Sequence, residues 1–413
     1  MKAVVIGPGR VGCGFAGHLL HRSGFDVAFI GRPVTAARLR RAGYYVVRLT
    51  DGRKVRDELV PSNGAVDMHD LRLAADTVAT ADVVGVAVGT DAFDDVGAVI
   101  AAGLSQARRP VTVIAFTNDE HAGRLLRNAV ERLAGPAVVG RHGFSGAVID
   151  RAIAHRIIPE HPDAPMLLIS EPVDSFIIDG TALGEGGVTS IPEIVGMTVS
   201  EDFAAAYRRK LFRYSAGHAT VAYLGQLKGY RYMHAAVLDP EIGVTARAAM
   251  REGRTGLAAA YGAALAGTDA ELDAILARFG NAALADTVAR VGRDPRRKLR
   301  PDDRLIGPAR LAIQAGASPR ALATAAGAAL CFSDGAQPSL TQHLADARLA
   351  SREVGSLLSE ISGLQSTDAL SVQIRRAWTR LAGGQDGNLL LSLRDRTWAW
   401  SPGRDATRGR AAS

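Results

Sequence analysis

Residues 1–33 read MKAVVIGPGRVGCGFAGHLLHRSGFDVAFIGRP, in which an apolar run, a glycine-rich turn, an amphipathic segment and a second apolar run follow one another. This order predicts a strand, a tight turn, a helix and a second strand. Gly7, Gly9 and Gly12 fall in the turn with the spacing G-x-G-x-x-G. In such a turn the first glycine allows the bend, the second lets the backbone approach a pyrophosphate, and the third lets helix and strand pack closely. The pattern predicts a dinucleotide-binding site; a purely structural turn is the alternative.

The end of the second predicted strand indicates which dinucleotide is bound. Sites for NAD usually carry an Asp or Glu there, which bonds the ribose 2′-hydroxyl. Here Gly31 and Arg32 stand at that place. An arginine suits a 2′-phosphate, so NADP(H) is favoured and NAD(H) stays open; the alternative is that Arg32 is only solvated and that both cofactors are accepted. The other predicted cofactor-binding residues lie in the glycine turn and in the loops after the third and fourth strands: Arg10, Val11, Val88, Gly89 and Asn118.

Further along the chain, the apolar runs DVVGVAV at 82–88 and VTVIAF at 111–116 alternate with helical segments. Strands that alternate with helices predict a parallel sheet covered by helices on both faces. From about Ser200 onward, segments rich in Ala and Leu show helical periodicity. The predicted fold class is α/β, with an N-terminal Rossmann-type doubly wound sheet followed by an all-helical C-terminal domain. The predicted boundaries are 1–198 for the Rossmann domain, 199–382 for the helical substrate domain, and 383–413 for a linker and basic tail.

The composition limits the class of protein and of partner. The 413 residues carry a formal charge of +7 and are 47% hydrophobic and 22% charged, which is typical of a globular protein. The positive charges are spread along the chain without a DNA-binding motif, so we expect an anionic small molecule rather than nucleic acid as partner. No apolar run reaches the roughly 18 residues of a membrane span, and the chain opens directly into a predicted strand, so we expect no signal peptide. Cys13 and Cys331 indicate no disulfide framework, which favours the cytoplasm.

The segment RRKLFRYSAGH, residues 208–218, contains one of only five lysines in a chain that has 44 arginines (49 − 5). Because this chain nearly always uses Arg for a solvated positive charge, Lys210 is a candidate for a task that arginine cannot perform. A lysine desolvated in a pocket can lose its proton near neutral pH and act as a base, whereas arginine stays protonated. The alternative is a surface lysine on a basic helix.

Several segments, in order along roughly residues 1–345, are similar to segments of the polyol-specific long-chain dehydrogenases: GPGRVGCGF, AVG, GFSGAVIDR, RRKLFRYSAGHATVAYLGQLKG, AVLDPEI, RFGN and VGRDPRRKLRPDDRLIGP. The helical segments are long and distinctive, so the chain is identified as a member of that family. The resemblance implies an N-terminal Rossmann domain, a helical C-terminal domain, no metal, and a monomer or weak oligomer.

The family signature is a lysine, an asparagine five residues later and a histidine three residues after that. The resemblance implies that Lys210 is the catalytic acid–base and that His218 holds and polarises the reacting oxygen, while Ser215 stands in the place of the asparagine. On an α-helix these three residues would span an arc of about 140°, so all could face one pocket. In GFSGAVIDR, residues 143–151, Asp150 and Arg151 are expected to bind substrate, and Gly146 replaces a family Asn or Asp.

A second basic segment, RDPRRKLRPDDR at residues 293–304, supplies side chains suited to a phosphate. Lys298 is another of the rare lysines, and Asp303 with Arg304 matches a family DRL sequence. We expect Arg297, Lys298 and Arg304 to bind the anionic group of the substrate. Arg296 and Arg300 belong to the same set of candidate phosphate donors, and the alternative for these arginines is a solvated basic loop flanked by Asp302 and Asp303.

The function predicted from these observations is an NAD(P)-dependent oxidoreductase. It would transfer hydride between a nicotinamide and a secondary alcohol or ketone of a phosphorylated sugar or polyol, of the mannitol-1-phosphate and fructose-6-phosphate type. Ser215 and Gly146 raise an alternative in which the substrate is a different anionic sugar derivative, such as a uronate or an intermediate of specialised metabolism. A second alternative is a non-catalytic dinucleotide-binding sensor, against which the retention of Lys210 argues.

Overall fold

The computed structural model describes residues 1–62, 64–184, 191–333, 338–341 and 347–383. These residues form two compact units assembled from alternating parts of the chain. The first unit contains Met1–Tyr214, Tyr232–Ala235 and Leu257–Asp286. The second unit contains Ser215–Arg231, Ala236–Gly256 and the described residues from Thr287 onward. The predicted tail at 383–413 lies outside the described residues beyond Gly383, and the predicted boundary at 198/199 stays a prediction.

The described strands all belong to the first unit. In chain order they are β1 (Lys2–Ile6), β2 (Asp26–Gly31), β3 (Tyr44–Thr50), β4 (Val55–Pro61), β5 (Ala65–Asp67), β6 (Val83–Val86), β7 (Thr112–Ala115), β8 (Gly143–Ile149), β9 (Ile153–Ile157), β10 (Leu167–Ser170), β11 (Phe176–Asp179) and β12 (Met197–Ser200). One sheet has the order β12-β11-β8-β7-β6-β1-β2-β5, and a second has the order β4-β3-β10-β9.

The described helices follow in chain order. They are α1 (His18–Arg22), α2 (Pro33–Ala42), α3 (Leu71–Ala79), α4 (Phe93–Gln106), α5 (Ala122–Ala134), α6 (Pro136–Val139), α7 (Gly180–Gly184), α8 (Phe203–Lys210), α9 (Ala216–Leu227), α10 (Met233–Leu238), α11 (Pro240–Tyr261), α12 (Ala263–Ala266), α13 (Asp269–Phe279), α14 (Val288–Gly292), α15 (Pro295–Lys298), α16 (Ile306–Gln314), α17 (Arg320–Leu330), α18 (Ala347–Ser362) and α19 (Ala369–Gly383). Two π-helical segments, Gly12–Gly17 and Leu211–Ser215, lead into α1 and α9.

The larger sheet has a Rossmann-type strand order. From β5 through β2, β1, β6 and β7 to β8 all neighbouring strands run parallel. The chain moves from β1 outward to β2 and β5 and then returns to β6 on the other side of β1. The connections therefore diverge between β1 and β6, and a crevice at such a point, outside the carboxyl ends of the strands, is where doubly wound sheets bind ligands.

Both faces of this sheet are covered, which explains the continuous apolar runs of its strands. Along β1, Ala3 and Val5 join the buried cluster that contains Phe15, and Val4 and Ile6 join the cluster on the other face. Polar caps begin several helices of the unit: the Asp70 side chain accepts from Leu73 N at the start of α3, and the Asp202 side chain accepts from Ala205 N at the start of α8.

The π-helical segment at Leu211–Ser215 differs from the regular helix expected there. Lys210, Ser215 and His218 were expected on an α-helix with about 100° per residue, but the π-helical turn between α8 and α9 is wider. The division between the two units falls inside this segment, after Tyr214. Single π-helical turns of this kind are frequent at functional sites.

The part of the chain at Leu257–Asp286 follows α9 and α10 in sequence yet packs in the first unit. Arg278 donates from Nε to Glu171 Oε1 at 3.0 Å, and its Nη2 donates both to Glu171 and to the carbonyl of Asp150. Asn281 Nδ2 donates to Thr50 O at 2.9 Å. These contacts attach a helical segment of the C-terminal half to strands of the Rossmann-type unit.

Helices form the described part of the second unit. α17 packs against α9 and α19, and a Cβ on Gly327 would lie 2.8 Å from Trp378 N, so a glycine allows α17 and α19 to approach closely. Glu252 of α11 accepts from the N–H groups of Ala321 and Leu322 at 2.8 and 2.9 Å and so caps the start of α17. Small Ala-rich faces explain why these helices pack tightly.

Candidate active site

The glycine turn after β1 has the geometry that its motif predicts. Gly7 has φ +86°, and a Cβ on it would lie 2.6 Å from Val88 Cγ1. A Cβ on Gly12 would lie 2.1 Å from Gly7 O, so only glycine lets the following helix start this close to the strand. A Cβ on Gly9, by contrast, would meet nothing nearer than Gly7 O at 3.9 Å. The protein itself requires Gly7 and Gly12, whereas the free space at Gly9 suits the pyrophosphate of a dinucleotide.

Two arginines lie at this turn, Arg10 from within the motif and Arg156 from outside it. Arg156 of β9 donates from Nη1 to Pro8 O at 3.2 Å, and Arg10 Nη1 donates to Ala154 O at 3.5 Å. The sequence analysis named Arg10 and missed Arg156, because β9 belongs to the second sheet and its sequence gives no sign of a neighbouring glycine turn. A guanidinium at this turn adds positive charge where a pyrophosphate would bind.

The end of β2 holds the predicted 2′-phosphate residue. Arg32 is exposed and stands at the N-cap of α2, where its carbonyl accepts from Thr35 N and Ala36 N, while its side chain makes no hydrogen bond or ion pair with any of the described residues. Gly31 pairs with Asp67 at the end of β5. Asp67 is an acidic residue that the sequence analysis missed; its Oδ1 accepts from His69 N at 2.9 Å.

The loops after β6 and β7 connect the predicted cofactor residues to the predicted catalytic lysine. Thr117 Oγ1 donates to Val88 O at 2.6 Å, which joins the two loops. Lys210 Nζ donates to Asn118 Oδ1 at 3.1 Å, and Tyr207 Oη donates to Asn118 O at 3.4 Å. The structure thus brings Lys210 and Asn118 together in the first unit, a contact between residues 92 positions apart in the chain.

Gly146 on β8 faces an aromatic ring. A Cβ at this position would lie 3.2 and 3.3 Å from Cζ and Cε1 of Phe203, the first residue of α8. The place where family members carry a polar side chain is therefore filled by a phenyl ring. A bound water could in principle replace the polar side chain that is missing at Gly146. On this side, however, the ring of Phe203 occupies the space that such a water would need.

Asp150 and Arg151 have different surroundings. Asp150 is half-buried, and its carbonyl accepts from Arg278 Nη2. Burial lowers the pKa of the nearby Arg213, an effect that the charges of Glu271 and Asp150 partly offset. The buried Arg151 guanidinium donates to Val173 O, to Gly14 O and to Asp174 Oδ1. Burial lowers the pKa of Arg151 to about 10. These contacts tie the guanidinium to neighbouring loops, and the predicted substrate role of both residues stays a prediction.

The second unit has a cavity of about 580 Å³ rich in positive charge. It is lined by Ser215, His218, Ala219, Arg290, Val291, Arg293, Asp294, Arg297, Lys298 and Arg304. We call it the cationic pocket. The structure therefore brings together Ser215 and His218 with the three predicted anion-binding residues. Arg290 and Arg293 were not predicted, while the basic neighbours Arg296 and Arg300 do not line the pocket.

Local carboxylates hold the arginines of the cationic pocket in place. Arg297 Nε donates to Asp294 Oδ2 at 2.8 Å, and Arg304 Nε donates to Asp303 Oδ1 at 2.6 Å. Arg304 Nη2 is buried and has no hydrogen-bond partner among the described residues. A buried guanidinium N–H without an acceptor is costly, and an anionic ligand would satisfy it.

Lys298 is the deeply buried lysine of this pocket, with 4% of its surface exposed. Its Nζ donates to Val291 O at 2.7 Å and to Arg293 O, and lies 5.7 Å from the centre of the Tyr223 ring. Burial, together with the charges of Arg304 and Arg297, lowers the pKa of Lys298 to about 6. Near neutral pH the amine of Lys298 is therefore mostly uncharged.

Comparison with known proteins identifies the family. Residues 1–189 match the mannitol dehydrogenase Rossmann domain, and residues 203–382 match the mannitol dehydrogenase C-terminal domain. The chain belongs to the mannitol dehydrogenase family. Members of this family are oxidoreductases that act on CH–OH groups, and the Rossmann domain together with the glycine turn supports a nicotinamide dinucleotide as the cofactor. The predictions of a Rossmann-type sheet domain, a helical C-terminal region and a dehydrogenase are confirmed.

Individual relatives agree with this assignment. The chain is 34% identical over 348 residues to a mannitol-1-phosphate 5-dehydrogenase of Brevibacillus brevis, covering 80% of this chain and 86% of the relative. It is 31% identical over 380 residues to the protein of the same name from Bacillus licheniformis, covering 90% and 97%.

Among solved structures, a Pseudomonas fluorescens mannitol 2-dehydrogenase in a ternary complex with NAD and D-mannitol has a TM-score of 0.72 at 18% identity, covering 95% of this chain and 94% of that one. A D-sorbitol dehydrogenase has a TM-score of 0.69 at 15% identity and covers 94% of each chain. These two structures have the same fold as this protein. In the described part of the chain, no cluster of three or more His, Cys, Asp or Glu side chains could hold a metal ion, and no helix has both the length and the apolar character needed to cross a membrane.

Proposed function

We propose that the protein catalyses reversible hydride transfer between NADP(H) and the secondary carbinol of a phosphorylated polyol, interconverting mannitol 1-phosphate and fructose 6-phosphate. The observation that carries the proposal is the cationic pocket, in which Ser215 and His218 share one cavity with several arginines. A strongly cationic lining suits a phosphorylated substrate better than an uncharged polyol. The mannitol-1-phosphate 5-dehydrogenases that resemble the chain over most of its length support the same substrate class.

Lys210 is the proposed acid–base. During oxidation its neutral amine takes the proton of the reacting hydroxyl, and during reduction its ammonium returns that proton to the forming alkoxide. The bound nicotinamide accepts or supplies the hydride. Asn118 Oδ1 accepts from Lys210 Nζ at 3.1 Å and so holds the amine in one orientation. His218 and Ser215 are the proposed donors to the reacting oxygen, where they stabilise its developing charge.

Arg297, Lys298 and Arg304 are the proposed phosphate-binding residues. The buried Arg304 Nη2, which has no acceptor among the described residues, is the donor best placed to gain from an incoming phosphate. Arg297 keeps its guanidinium beside Asp294, so a phosphate would bind to donors that are already oriented.

NADP(H) is the proposed cofactor because Arg32 is the first side chain after β2. The competing observation is Asp67 on the neighbouring strand, but its Oδ1 already accepts from the backbone of His69. Arg32→Asp should weaken NADPH binding about 10- to 100-fold, the equivalent of one charge-assisted hydrogen bond, and should leave NADH binding nearly unchanged. Equal affinities for the two cofactors before and after the change would contradict the preference.

A second substrate class is favoured by Gly146 and Ser215. The phenyl ring of Phe203 fills the place of one polar family side chain, and Ser215 is shorter than the family asparagine. These two altered positions suit a different anionic sugar derivative, such as a uronate, with the same hydride chemistry.

The deciding experiment is an assay of NADPH and NADH oxidation at 340 nm with fructose 6-phosphate, other ketose phosphates, uronates and free ketoses. Turnover of fructose 6-phosphate that is lost in Lys210→Ala, with NADPH binding retained, is the expected result. Lys228→Ala is the matched control, because Lys228 pairs with Asp239 and Glu241 outside the site. Turnover of uronates alone would establish the second substrate class, and tight NADPH binding without any turnover would establish a sensor. The predicted monomer or weak oligomer and the cytoplasmic location stay predictions.

A further inference from the structure

The end of β2 is closed to side chains by Pro8. A Cβ on Gly31 would lie 2.6 Å from Pro8 Cγ and 2.7 Å from Pro8 Cδ. These distances are shorter than real Cβ contacts, so no residue larger than glycine fits at position 31 unless Pro8 moves. The Pro8 ring cannot rotate aside as a flexible side chain would, because it is bonded to its own backbone nitrogen.

The backbone on both sides of this contact is fixed by hydrogen bonds. On the side of the glycine turn, Gly7 N donates to Ile30 O at 2.9 Å, and Pro8 O accepts from Arg156 Nη1 at 3.2 Å. On the side of the strand, Gly31 O accepts from Met68 N at 2.9 Å. Neither the turn nor the strand can retreat without breaking a hydrogen bond, so the contact between Pro8 and Gly31 is held from both sides.

This closure affects the place where NAD-binding sheets present their acidic residue. A carboxylate at the end of the second strand bonds the ribose 2′-hydroxyl in those sites and would repel a 2′-phosphate. Here the position is sterically blocked, and the next side chain along the chain is that of Arg32, which is exposed and makes no hydrogen bond or ion pair with any described residue. The nearest carboxylate on a neighbouring strand, that of Asp67, accepts from the backbone of His69.

We propose that Pro8 excludes every side chain, and therefore an acidic one, from the end of β2, which leaves that place for the 2′-phosphate of NADP(H), bound by Arg32. Arg156 acts as a positioning residue that holds the Pro8 carbonyl. The inference rests on the proposed function insofar as it takes NADP(H) to be the cofactor. It adds that the selectivity for NADP(H) over NAD(H) comes from the exclusion of an acidic side chain at position 31 as well as from the attraction of Arg32 for the 2′-phosphate.

The test is a double-mutant cycle with Pro8→Ala, Gly31→Asp and the double variant, each measured for melting temperature and for NADPH and NADH dissociation constants. Gly31→Asp alone should lower the melting temperature and weaken both cofactors. Pro8→Ala alone should still prefer NADPH. The double variant should recover stability and bind NADH at least 10-fold more tightly than Gly31→Asp does, because the carboxylate then has room to reach the ribose.

A second pair of variants separates the steric effect from the charge. Gly31→Ala should destabilise the protein when Pro8 is present and should be tolerated in the Pro8→Ala background, without any gain in NADH affinity. If Gly31→Ala and Gly31→Asp are as stable with Pro8 as without it, the inference is overturned, whatever the double aspartate variant does. A wild-type protein that binds NADH as tightly as NADPH would instead refute the proposed cofactor, so the two failures give different results.

Discussion

The glycine turn of the first unit and the cationic pocket of the second unit obtain their shapes in different ways. In the turn the backbone itself forms the surface, and two of three glycines are required by contacts within 2.6 Å of a neighbouring atom. In the cationic pocket long side chains form the surface, held by Asp294, Asp303 and two backbone carbonyls. A surface formed by the backbone, as in the glycine turn, therefore tolerates almost no added atoms. A surface formed by side chains, as in the cationic pocket, can change its charge while keeping its shape.

The largest effect is expected in the turn. Gly12→Ala places a Cβ 2.1 Å from Gly7 O, so the free energy of unfolding should fall by about 3 kcal/mol or more, as in severe overpacking. Gly9→Ala meets no protein atom nearer than 3.9 Å and should change the free energy of unfolding by no more than about 0.5 kcal/mol. Urea denaturation of both variants provides the measurement.

Cofactor titration of the same two variants sharpens the contrast. Gly9→Ala should fold normally and yet lose about 10-fold or more in NADPH affinity, equivalent to about 1.4 kcal/mol, because its methyl group enters the space proposed for the pyrophosphate. Normal affinity in a folded Gly9→Ala protein would show that this space is not used.

In the cationic pocket, Arg304→Gln should raise KM for a sugar phosphate about 10- to 100-fold, since a hydrogen bond to a charged group contributes about 1.5–3 kcal/mol. kcat and the KM for an unphosphorylated ketose should change little, because the fold of the pocket persists. Arg300→Gln is the matched control: the same chemical change at an exposed arginine that does not line the pocket. Equal losses in the two variants would mean that the effect is general electrostatics and not a phosphate contact.

Lys298 allows the charge of the pocket to be tested separately. Its pKa of about 6 leaves the amine neutral at pH 8 in the empty pocket, and a phosphate dianion beside it would favour the ammonium and raise that pKa. Binding of a sugar phosphate at pH 8 should therefore take up close to one proton. Titration calorimetry in buffers of different ionisation enthalpy measures this uptake, and Lys298→Arg, whose side chain is already charged, should abolish it. Binding without proton uptake in the wild type would contradict the neutral lysine.

The smallest effect concerns His18 in the first unit, whose buried ring contacts the charged side chains of Arg151 and Glu58. Arg151 Nη1 donates to His18 Nδ1 at 2.9 Å, so the neutral ring carries its proton on Nε2 and donates it to Glu58. Burial lowers the pKa of His18 to about 4. Between pH 6.5 and 4 the unfolded chain then binds a proton that the folded chain does not, so stability is lost as the pH falls through this window.

The expected loss is at most about 1.4 kcal/mol per pH unit for one proton. It is measured as the difference in urea midpoint between pH 6.5 and 5.5, compared with His18→Gln, in which the slope should flatten. Parallel pH slopes in the two proteins would remove His18 as the cause.

Local pattern explains why so much of the first unit could be predicted. The apolar runs of β1, β2, β6 and β7 and the spacing of the glycines are properties of neighbouring residues, and the strand order follows from the alternation of strands with helices. The segment at 293–304 could be named as a candidate for the same reason, and its predicted members Arg297, Lys298 and Arg304 line the cationic pocket. Arg290 could not be named, because it enters from a preceding helix, and the sequence did not show that Arg296 turns to Glu360 instead.

The missed features all depend on contacts between distant parts of the chain. Arg156 lies at the glycine turn only because the second sheet packs there, and Phe203 covers Gly146 only because α8 packs on β8. The bond between Lys210 and Asn118 joins a helix to a loop 92 residues earlier. The periodicity and spacing of one sequence report on neighbouring residues, so they do not show which distant residues come into contact in the folded chain.

The interleaving of the two units has a consequence for synthesis. The first unit lacks part of its structure until Asp286 has been made, which is 72 residues after Tyr214 (286 − 214). At about 5–20 residues per second this interval lasts roughly 4–14 s. During it Glu171, whose side chain is only 4% exposed in the finished protein, has no Arg278 to neutralise it. During synthesis the first unit therefore lacks the segment Leu257–Asp286 that covers Glu171. A chain that ends near residue 198 would lack this segment permanently.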